Sequence, residues 1–221
     1  MEMEYGVLFD MDGVIVDTNP YHLEALIIFC KKHGKNLSEE EIKRNIYGTP
    51  NKQWVPKLFG KITPQEVAEL GSEKEQIFRD LYKGHAVPLN GLERFLKEIK
   101  EANVKTAVCT SAPLENATFI LGETNLEGYF DTILHEGSIQ KGKPDPEVFI
   151  KGANALGLSS EDCIVIEDSL SGVKAGLSSG SKVIGVTTTH TKEELASTHL
   201  VINDFEALTS RSIKELIEKN N

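Results

Sequence analysis

The chain has 221 residues, enough for one ordinary domain and a second small one. Hydrophobic residues make up 39% and the formal net charge is −10, which is typical of a globular protein with an acidic surface. Such a surface repels phosphate backbones and anionic lipids, so we expect no nucleic-acid partner and no membrane partner. No apolar run approaches the roughly 18 residues of a membrane span, and residues 1–9 carry two glutamates and no basic residue, unlike a secretory signal. We therefore expect a cytoplasmic protein, as a monomer or a weak homodimer.

The cysteines Cys30, Cys109 and Cys163 lie far apart in the sequence and form no CxxC pair. Their odd number and wide spacing indicate neither a disulfide framework nor a zinc site. We expect all of them to be reduced and mostly buried, as ordinary small apolar side chains.

Short apolar runs along the chain predict buried β-strands. In chain order they are Tyr5–Phe9, Val104–Cys109, Thr132–Leu134, Cys163–Ile166, Lys182–Val186 and His199–Ile202. Helices are predicted between them at Leu89–Ala102, after Asp145 with Pro146 as first residue, after Ser169, and after Thr191, which forms a capping box with Glu194. Strands that alternate with helices predict an α/β fold, a Rossmann-like, doubly wound parallel sheet with helices on both faces.

Residues 16–87 show helical spacing and no strand. The predicted helices are Tyr21–His33, one that begins with a capping box of Ser38 and Glu41, and one opened by Thr63, Pro64 and Glu66. We interpret this stretch as a small all-helical domain inserted after the first strand. The predicted domains are therefore residues 1–15 together with 88–221, and residues 16–87.

Polar side chains follow three of the predicted strands at the point where each strand ends. They are Asp10 and Asp12 after the first strand, Thr110 and Ser111 after the second, and Glu167 and Asp168 after the fourth. The carboxyl ends of parallel strands meet at one edge of a sheet, where ligands bind. We therefore expect these oxygen-bearing side chains to line one site.

The run Asp10-Met11-Asp12-Gly13-Val14 after an apolar strand resembles the first motif of the haloacid dehalogenase-like phosphohydrolase superfamily. The other motifs of that superfamily follow in order: Thr110-Ser111 at a strand end, Lys143 within Gly142-Lys143-Pro144-Asp145-Pro146, and Glu167-Asp168-Ser169 after Ile164–Ile166. The resemblance covers essentially the whole chain. Four motifs in the right order are far more specific than one DxD.

The resemblance implies a magnesium-dependent enzyme that acts on a small phosphorylated molecule. Asp10 is then the carboxylate nucleophile, which attacks phosphorus and forms an aspartyl-phosphate. The implied ligands of Mg²⁺ are Asp10, the backbone carbonyl of Asp12, Glu167 and Asp168. Lys143 supplies a second cation, which bridges the nucleophile and the phosphate.

The remaining motif residues take supporting roles under the same resemblance. Asp12 protonates the leaving oxygen and later deprotonates the incoming water or alcohol. Thr110 and the backbone of Ser111 hydrogen-bond the phosphoryl oxygens. Taken singly, each motif residue has an ordinary explanation: Asp12-Gly13 as a turn, Lys143 as a surface lysine, and Ser169 as a helix cap.

Other chemistries compete with this interpretation. Gly137–Lys143 matches the first seven positions of a P-loop, but the eighth, which must be Ser or Thr, is Pro144. A dehalogenase uses a similar aspartate on carbon, whereas the acidic residues of the first and fourth motifs favour magnesium and phosphorus. A catalytically inactive binding protein on this fold is expected to lack one of the catalytic residues, and all are present.

The inserted helical domain resembles the first type of cap in this superfamily, which closes over the active site and selects the substrate. The segment Asp17–His22 looks like that of β-phosphoglucomutases and related sugar phosphatases, in which a cap histidine matching His22 helps position the acid/base aspartate. The mutase also grips a distal phosphate with a cap lysine, matched by Lys74, and a cap arginine, whose position in the segment 47–52 falls at Asn51. Lys52 is adjacent, but a lysine lacks the planar fork that binds phosphate in two places.

Because the arginine is absent, the sequence favours a phosphomonoesterase acting on a small sugar phosphate, with a β-phosphoglucomutase-type mutase as the alternative. Other members of the family act on pyrophosphate, phosphoglycolate and nucleotides, and the sequence does not separate these. The ordinary explanation for His22 is a partly exposed helical histidine, and for Lys52 and Lys74 exposed lysines. His190, after a predicted strand end, either lines the site or lies in a loop, and we favour the loop.

Overall fold

The structure is a computed structural model that describes residues 4–46 and 49–218. It contains two compact units: the residues up to Asp17 together with those from Ala86 onward, and Thr18–His85. The larger unit contains the sheet and the smaller unit is helical. That the smaller unit acts as a cap stays a prediction.

The larger unit is built on a six-stranded sheet in which every neighbouring pair is parallel and the strand order is β3-β2-β1-β4-β5-β6. The strands are β1 Gly6–Phe9, β2 Lys105–Cys109, β3 Thr132–Leu134, β4 Cys163–Glu167, β5 Lys182–Val186 and β6 Leu200–Ile202. Each overlaps a predicted strand, and the predicted α/β, Rossmann-like fold class is confirmed.

The helices complete the α/β arrangement. In chain order they are α1 Asn19–Lys32, α2 Glu39–Asn45, α3 Asn51–Phe59, α4 Pro64–Tyr82, α5 Leu92–Glu101, α6 Leu114–Thr124, α7 Glu147–Ala155, α8 Leu170–Ser178 and α9 Ser210–Glu218. Short 3₁₀ helices lie at Glu127–Tyr129, Glu136–Ser138 and Ser160–Asp162. Within the described ranges, no helix has the length and apolar character that crossing a membrane requires.

Strand β1 shows how the sheet is buried on both faces. Successive strand residues point to opposite faces, and Leu8 belongs to the same buried cluster as Phe149 of α7. Phe9 instead contacts Phe95 of α5 and Phe205, with ring centroids 6.4 Å apart in both pairs. Helices and loops therefore cover both faces, which explains why the strands are continuous apolar runs.

The smaller unit has its own apolar core. Its buried residues are Leu26, Phe29, Cys30, Ile42, Ile46, Trp54 and Val55. The predicted capping boxes at Ser38/Glu41 and Thr63/Glu66 are both present and begin α2 and α4. The predicted cysteine state is also confirmed, because all three thiols are free and buried.

Two predicted helix starts are wrong in detail. Thr191 and Glu194 exchange the hydrogen bonds of a capping box, but residues 192–197 form turns rather than a helix. Leu195 is the only large apolar side chain in that stretch, so a short helix there would gain too little from burial to be stable. Helix α7 begins at Glu147, one residue later than predicted. Pro146 takes the cap position, and the Asp145 carboxylate accepts the Glu147 N–H at 3.1 Å.

Candidate active site

The strand order makes β1 the point at which the chain reverses its progress across the sheet. The chain runs from β1 to β2 and β3, then returns to add β4, β5 and β6 on the other side. In such sheets, ligands bind in the crevice beyond the carboxyl ends of the strands at the reversal. Phe9 is paired with both Val108 and Ile166, so Asp10 follows β1 at the level of Cys109 and Glu167.

Lys143 joins the ends of β1, β2 and β4. Its ammonium lies 2.6 Å from Asp10 Oδ1, 2.7 Å from Glu167 Oε1 and 3.0 Å from the Cys109 carbonyl, which gives one acceptor for each N–H. Burial alone would lower the pKa of Lys143, but Asp10 and Glu167 outweigh it and raise that pKa above its usual range. Lys143 therefore acts as a fixed positive charge.

Exposure differs among these paired groups. The side chains of Lys143 and Glu167 are 6% and 0% exposed, whereas that of Asp10 is 11% exposed. Asp10 is therefore the member of this network that a substrate reaches most readily.

Asp10, Glu167 and Asp168 form a carboxylate cluster. One ligand oxygen from each lies within 4.8 Å of the others, and no other such group of His, Cys, Asp or Glu occurs among the residues that the structure describes. Burial raises the pKa of Asp10 well above its usual range; Lys143 opposes this, and neighbouring carboxylates add to it. Burial and the charge of Glu167 raise the pKa of Asp168 to about 7. These carboxylates face one ammonium, and this excess of hard oxygen donors and negative charge fits a magnesium ion.

Glu167 is held in place by the start of α8. Its Oε2 accepts hydrogen bonds from the backbone N–H of Asp168 at 3.0 Å, the N–H of Ser169 at 2.9 Å and the Ser169 hydroxyl at 3.0 Å. Ser169 Oγ also accepts the N–H of Gly172, so the predicted cap is confirmed. A Cβ at Gly172 would lie 1.7 Å from Glu167 Oε1, so only glycine lets the carboxylate lie against the helix.

Asp12 and Gly13 open a tight turn beside the cluster. The charge of Asp12 raises the pKa values of both Asp10 and Asp168, which indicates that its carboxylate is close to theirs. Gly13 has a φ of +81° and donates its N–H to the Val16 carbonyl at 2.7 Å. A Cβ at Gly13 would lie 2.0 Å from Asp168 Oδ2, so both the backbone angle and the space require glycine.

Thr110 and Ser111 follow β2 at the same edge of the sheet. Thr110 is 1% exposed and donates its backbone N–H to the Leu134 carbonyl at 2.9 Å. Its Oγ1 accepts the N–H of Ala112 at 3.0 Å, and this orients the hydroxyl while its proton stays available for donation. Ser111 is exposed.

Residues 7–186 match the family described as haloacid dehalogenase-like hydrolase. The chain belongs to that family. It is 33% identical over 187 residues to a phosphorylated carbohydrates phosphatase of Thermotoga maritima, covering 82% of this chain and 84% of that protein. It is 30% identical over 196 residues to a β-phosphoglucomutase of Bacillus subtilis, covering 82% of each. A crystal structure of a family IA, variant 3 HAD hydrolase from Entamoeba histolytica is similar with a TM-score of 0.88 at 30% identity, over 97% of this chain and 99% of that one.

Some features of this haloacid dehalogenase-like site were not predicted from the sequence. The Thr189 hydroxyl donates to Asp168 Oδ2, and the Thr188 hydroxyl donates to the Gly13 carbonyl at 2.5 Å. Their position in the sequence could have revealed these threonines, because the run Thr187–Thr189 directly follows β5 at the edge of the sheet that holds the carboxylate cluster. His190 lies beyond them in the same turn, 3.4 Å from Glu194 and outside the carboxylate cluster.

The smaller unit of this family member contains a buried ion pair. Lys74 Nζ lies 2.8 Å from His22 Nδ1 and 3.1 Å from Glu75 Oε1, and Lys74 and Glu75 are each 6% exposed. The half-buried His22 ring stacks on Phe78 with centroids 3.8 Å apart. The ordinary explanation of Lys74 as an exposed lysine is therefore wrong, since its charge is buried and paired.

Asn51, at the start of α3, extends the same network. Its Nδ2 donates to Glu75 Oε1 at 2.9 Å, and its Oδ1 accepts the indole N–H of Trp54 at 2.9 Å. Glu75 thereby connects Asn51 to Lys74 and His22 within the smaller unit. Lys52 is exposed. Residues 47 and 48, which begin this predicted segment, lie outside the described residues.

Proposed function

We propose that the protein is a magnesium-dependent phosphatase that hydrolyses a small phosphorylated carbohydrate through an aspartyl-phosphate at Asp10. One observation carries this proposal: Lys143 bridges Asp10 and Glu167 inside a carboxylate cluster at the carboxyl edge of the sheet. The names of the Thermotoga maritima and Bacillus subtilis relatives support a phosphorylated sugar as substrate.

Asp10 has the position and the exposure that a nucleophile needs. One of its carboxylate oxygens forms a bond to phosphorus while the bond from phosphorus to the substrate oxygen breaks. This attack brings a carboxylate against a phosphate dianion, so repulsion must be offset. Lys143, 2.6 Å from Asp10 Oδ1, is already in place to do this without rearrangement.

The ligands proposed for Mg²⁺ are Asp10, the backbone carbonyl of Asp12, Glu167 and Asp168. Their hard oxygen donors and unbalanced negative charge fit this ion, whereas a softer metal would favour nitrogen or sulfur. Bound Mg²⁺ supplies positive charge that stabilises the phosphoryl oxygens in the transition state. Hydrogen bonds from the start of α8 hold the Glu167 carboxylate in its orientation at the cluster.

Asp12 moves the protons. In the first half-reaction it protonates the leaving oxygen of the substrate. A water then attacks the phosphorus of the aspartyl-phosphate, Asp12 accepts its proton, and inorganic phosphate leaves as Asp10 returns to the carboxylate. Thr110, whose hydroxyl is oriented by the Ala112 N–H, and the backbone N–H of Ser111 donate to the phosphoryl oxygens in both steps.

Hydrolysis is favoured over mutase chemistry because the smaller unit lacks part of the mutase pattern. Asn51 replaces the arginine, and its amide is already bonded to Glu75 and Trp54. Lys74 is paired with Glu75, which offsets its charge. This network therefore offers a second phosphate little unpaired positive charge. A β-phosphoglucomutase-type mutase is the second candidate, supported by the Bacillus subtilis relative and by the match at His22.

Phosphate release from a substrate panel tests the proposal. The panel contains hexose, pentose and hexitol phosphates, with pyrophosphate and phosphoglycolate as non-carbohydrate substrates, each assayed with Mg²⁺ and with EDTA. Asp10→Asn removes the anionic nucleophile at constant size, and Asp80→Asn, at an exposed position of α4, is the matched control. We expect release from a carbohydrate phosphate that requires both Mg²⁺ and Asp10. Release that survives EDTA or Asp10→Asn would contradict the mechanism, and a preference for pyrophosphate would contradict the substrate class.

A second assay separates the two candidates. The protein is incubated with β-glucose 1-phosphate and a trace of glucose 1,6-bisphosphate, and both glucose 6-phosphate and free phosphate are measured. A phosphatase releases phosphate as the substrate disappears. Glucose 6-phosphate formed with little release of phosphate would favour the mutase.

A further inference from the structure

The turn after β5 carries three consecutive threonines whose hydroxyls have different partners. The Thr189 hydroxyl donates to Asp168 Oδ2. The Thr188 hydroxyl donates to the Gly13 carbonyl at 2.5 Å, and its oxygen lies 3.4 Å from Asp168 Oδ2. The Thr187 hydroxyl bonds instead to Asn203 Oδ1 at 3.0 Å, beyond the end of β6.

The Asp168 carboxylate is enclosed on one side by these contacts. It is 3% exposed, and the Gly13 backbone lies so close to Oδ2 that a Cβ there would be 2.0 Å away. Thr189 gives the same oxygen a hydroxyl donor. These contacts hold Oδ2 in place and so limit the rotation of the Asp168 carboxylate within the cluster.

Thr188 acts on the backbone next to Asp12. A hydroxyl has one proton, and the short contact assigns that proton to the Gly13 carbonyl. Gly13 is held from its other end by the bond from its N–H to the Val16 carbonyl at 2.7 Å. Gly13, the residue next to Asp12, is therefore held through both of its peptide groups.

We propose that Thr189 and Thr188 are positioning residues of the metal site. Thr189 fixes the rotation of the Asp168 carboxylate. Thr188 holds Gly13 and thereby the neighbouring Asp12, whose own backbone carbonyl is a proposed ligand. The proposal rests on the Mg²⁺ site of the proposed function. Without the two hydroxyls, carboxylates that repel one another rotate apart, and binding must first bring them back to the coordinating arrangement.

Titration calorimetry of the full chain with MgCl₂ alone tests this proposal without substrate. Thr189→Val and Thr188→Val keep the shape of the side chain and remove its hydroxyl, whereas Thr189→Ser keeps the hydroxyl. Thr187→Val is the matched control in the same turn. Loss of such a supporting hydrogen bond typically costs about 10–100-fold in metal affinity, and we expect a weakening of that size for both valine variants. Thr189→Ser and Thr187→Val should bind as the wild type does.

A second readout separates positioning from general damage. In phosphate-release assays, the Mg²⁺ concentration for half-activation should rise by the same factor in Thr189→Val, while kcat at saturating Mg²⁺ is retained. The melting temperature without Mg²⁺ should stay close to that of the wild type. Should Thr189→Val not fold, Thr189→Ala, which also lacks the hydroxyl, takes its place.

The outcomes distinguish the positioning role of the threonines from the metal site itself. Unchanged Mg²⁺ affinity in Thr189→Val and Thr188→Val, or an equal loss in Thr187→Val, overturns the positioning role and leaves the proposed function standing. A wild-type chain that binds no Mg²⁺ overturns the metal site and the positioning role together.

Discussion

Lys143→Met removes the charge that holds three strand ends together while it keeps the length of the side chain. In the wild type the Lys143 side chain is 6% exposed, and its ammonium donates to Asp10, Glu167 and the Cys109 carbonyl at 2.6–3.0 Å. The variant leaves two buried carboxylates without their cation. Removing one partner of a buried ion pair costs about 3–5 kcal/mol. With a urea dependence of about 2 kcal/mol per molar, the unfolding midpoint should fall by roughly 2 M.

Urea unfolding in EDTA, followed by two signals, measures this loss. Far-UV circular dichroism reports both units, whereas the fluorescence of Trp54, the only tryptophan, reports the core of the smaller unit. The dichroism midpoint should fall, and the fluorescence midpoint should fall with it only if the units unfold together. Lys151→Met is the control, because Lys151 is 44% exposed and its pair with Glu147 lies at the surface. A shift for Lys143→Met no larger than that of Lys151→Met would refute the reasoning.

Three further predictions follow from burial and close contact. Gly13→Ala should weaken Mg²⁺ binding in calorimetry because its Cβ would collide with Asp168 Oδ2, and wild-type affinity would contradict that geometry. Glu75→Ala should destabilise the smaller unit by about 3 kcal/mol because it leaves the buried Lys74 without its carboxylate; an unchanged urea midpoint of tryptophan fluorescence would count against this. The cysteines should resist a thiol-specific reagent until the protein unfolds, because burial excludes the reagent and raises the pKa values of the thiols. Rapid labelling of the native protein would contradict this prediction.

The fold and the centre of the site were predictable because their signals are local. The central strands β1, β2 and β4 are largely apolar, since the sheet is covered on both faces, and three of the four motifs follow a strand end. The capping boxes at Ser38 and Thr63 were predictable for the same reason, because both halves of each box lie within four residues.

Features that depend on distant partners have no local signal. Lys143 contacts Asp10 across 133 residues, and only the family resemblance implied that contact; Thr188 contacts Gly13 across 175 residues and was not predicted. Helix α9 was not predicted, and its first turn is capped by Glu98, which accepts the Ser210 N–H at 2.8 Å from 112 residues away. Such contacts arise only when the fold brings distant elements together.

Local signals also failed where packing outweighed them. Helix α3 contains Pro56, which normally interrupts a helix, yet the helix forms with Trp54 and Val55 buried in the core. At Thr191 the capping signal is present, but no apolar face follows to stabilise a helix. In both cases the burial of apolar side chains, and not the local sequence signal, determines whether a helix forms.

The proposal that Asp10 carries the phosphoryl group is tested most directly by trapping the phosphoenzyme. Asp12→Asn is treated with Mg²⁺ and p-nitrophenyl phosphate. This variant should form the phosphoenzyme, because the p-nitrophenolate leaving group needs no proton. It should hydrolyse the phosphoenzyme slowly, because the attacking water lacks its base. Acid quenching and borohydride reduction then convert an acyl phosphate to an alcohol, and peptide mass spectrometry should find homoserine at position 10 and nowhere else. Phosphate release with an unmodified Asp10, or reduction at another residue, would contradict the proposal.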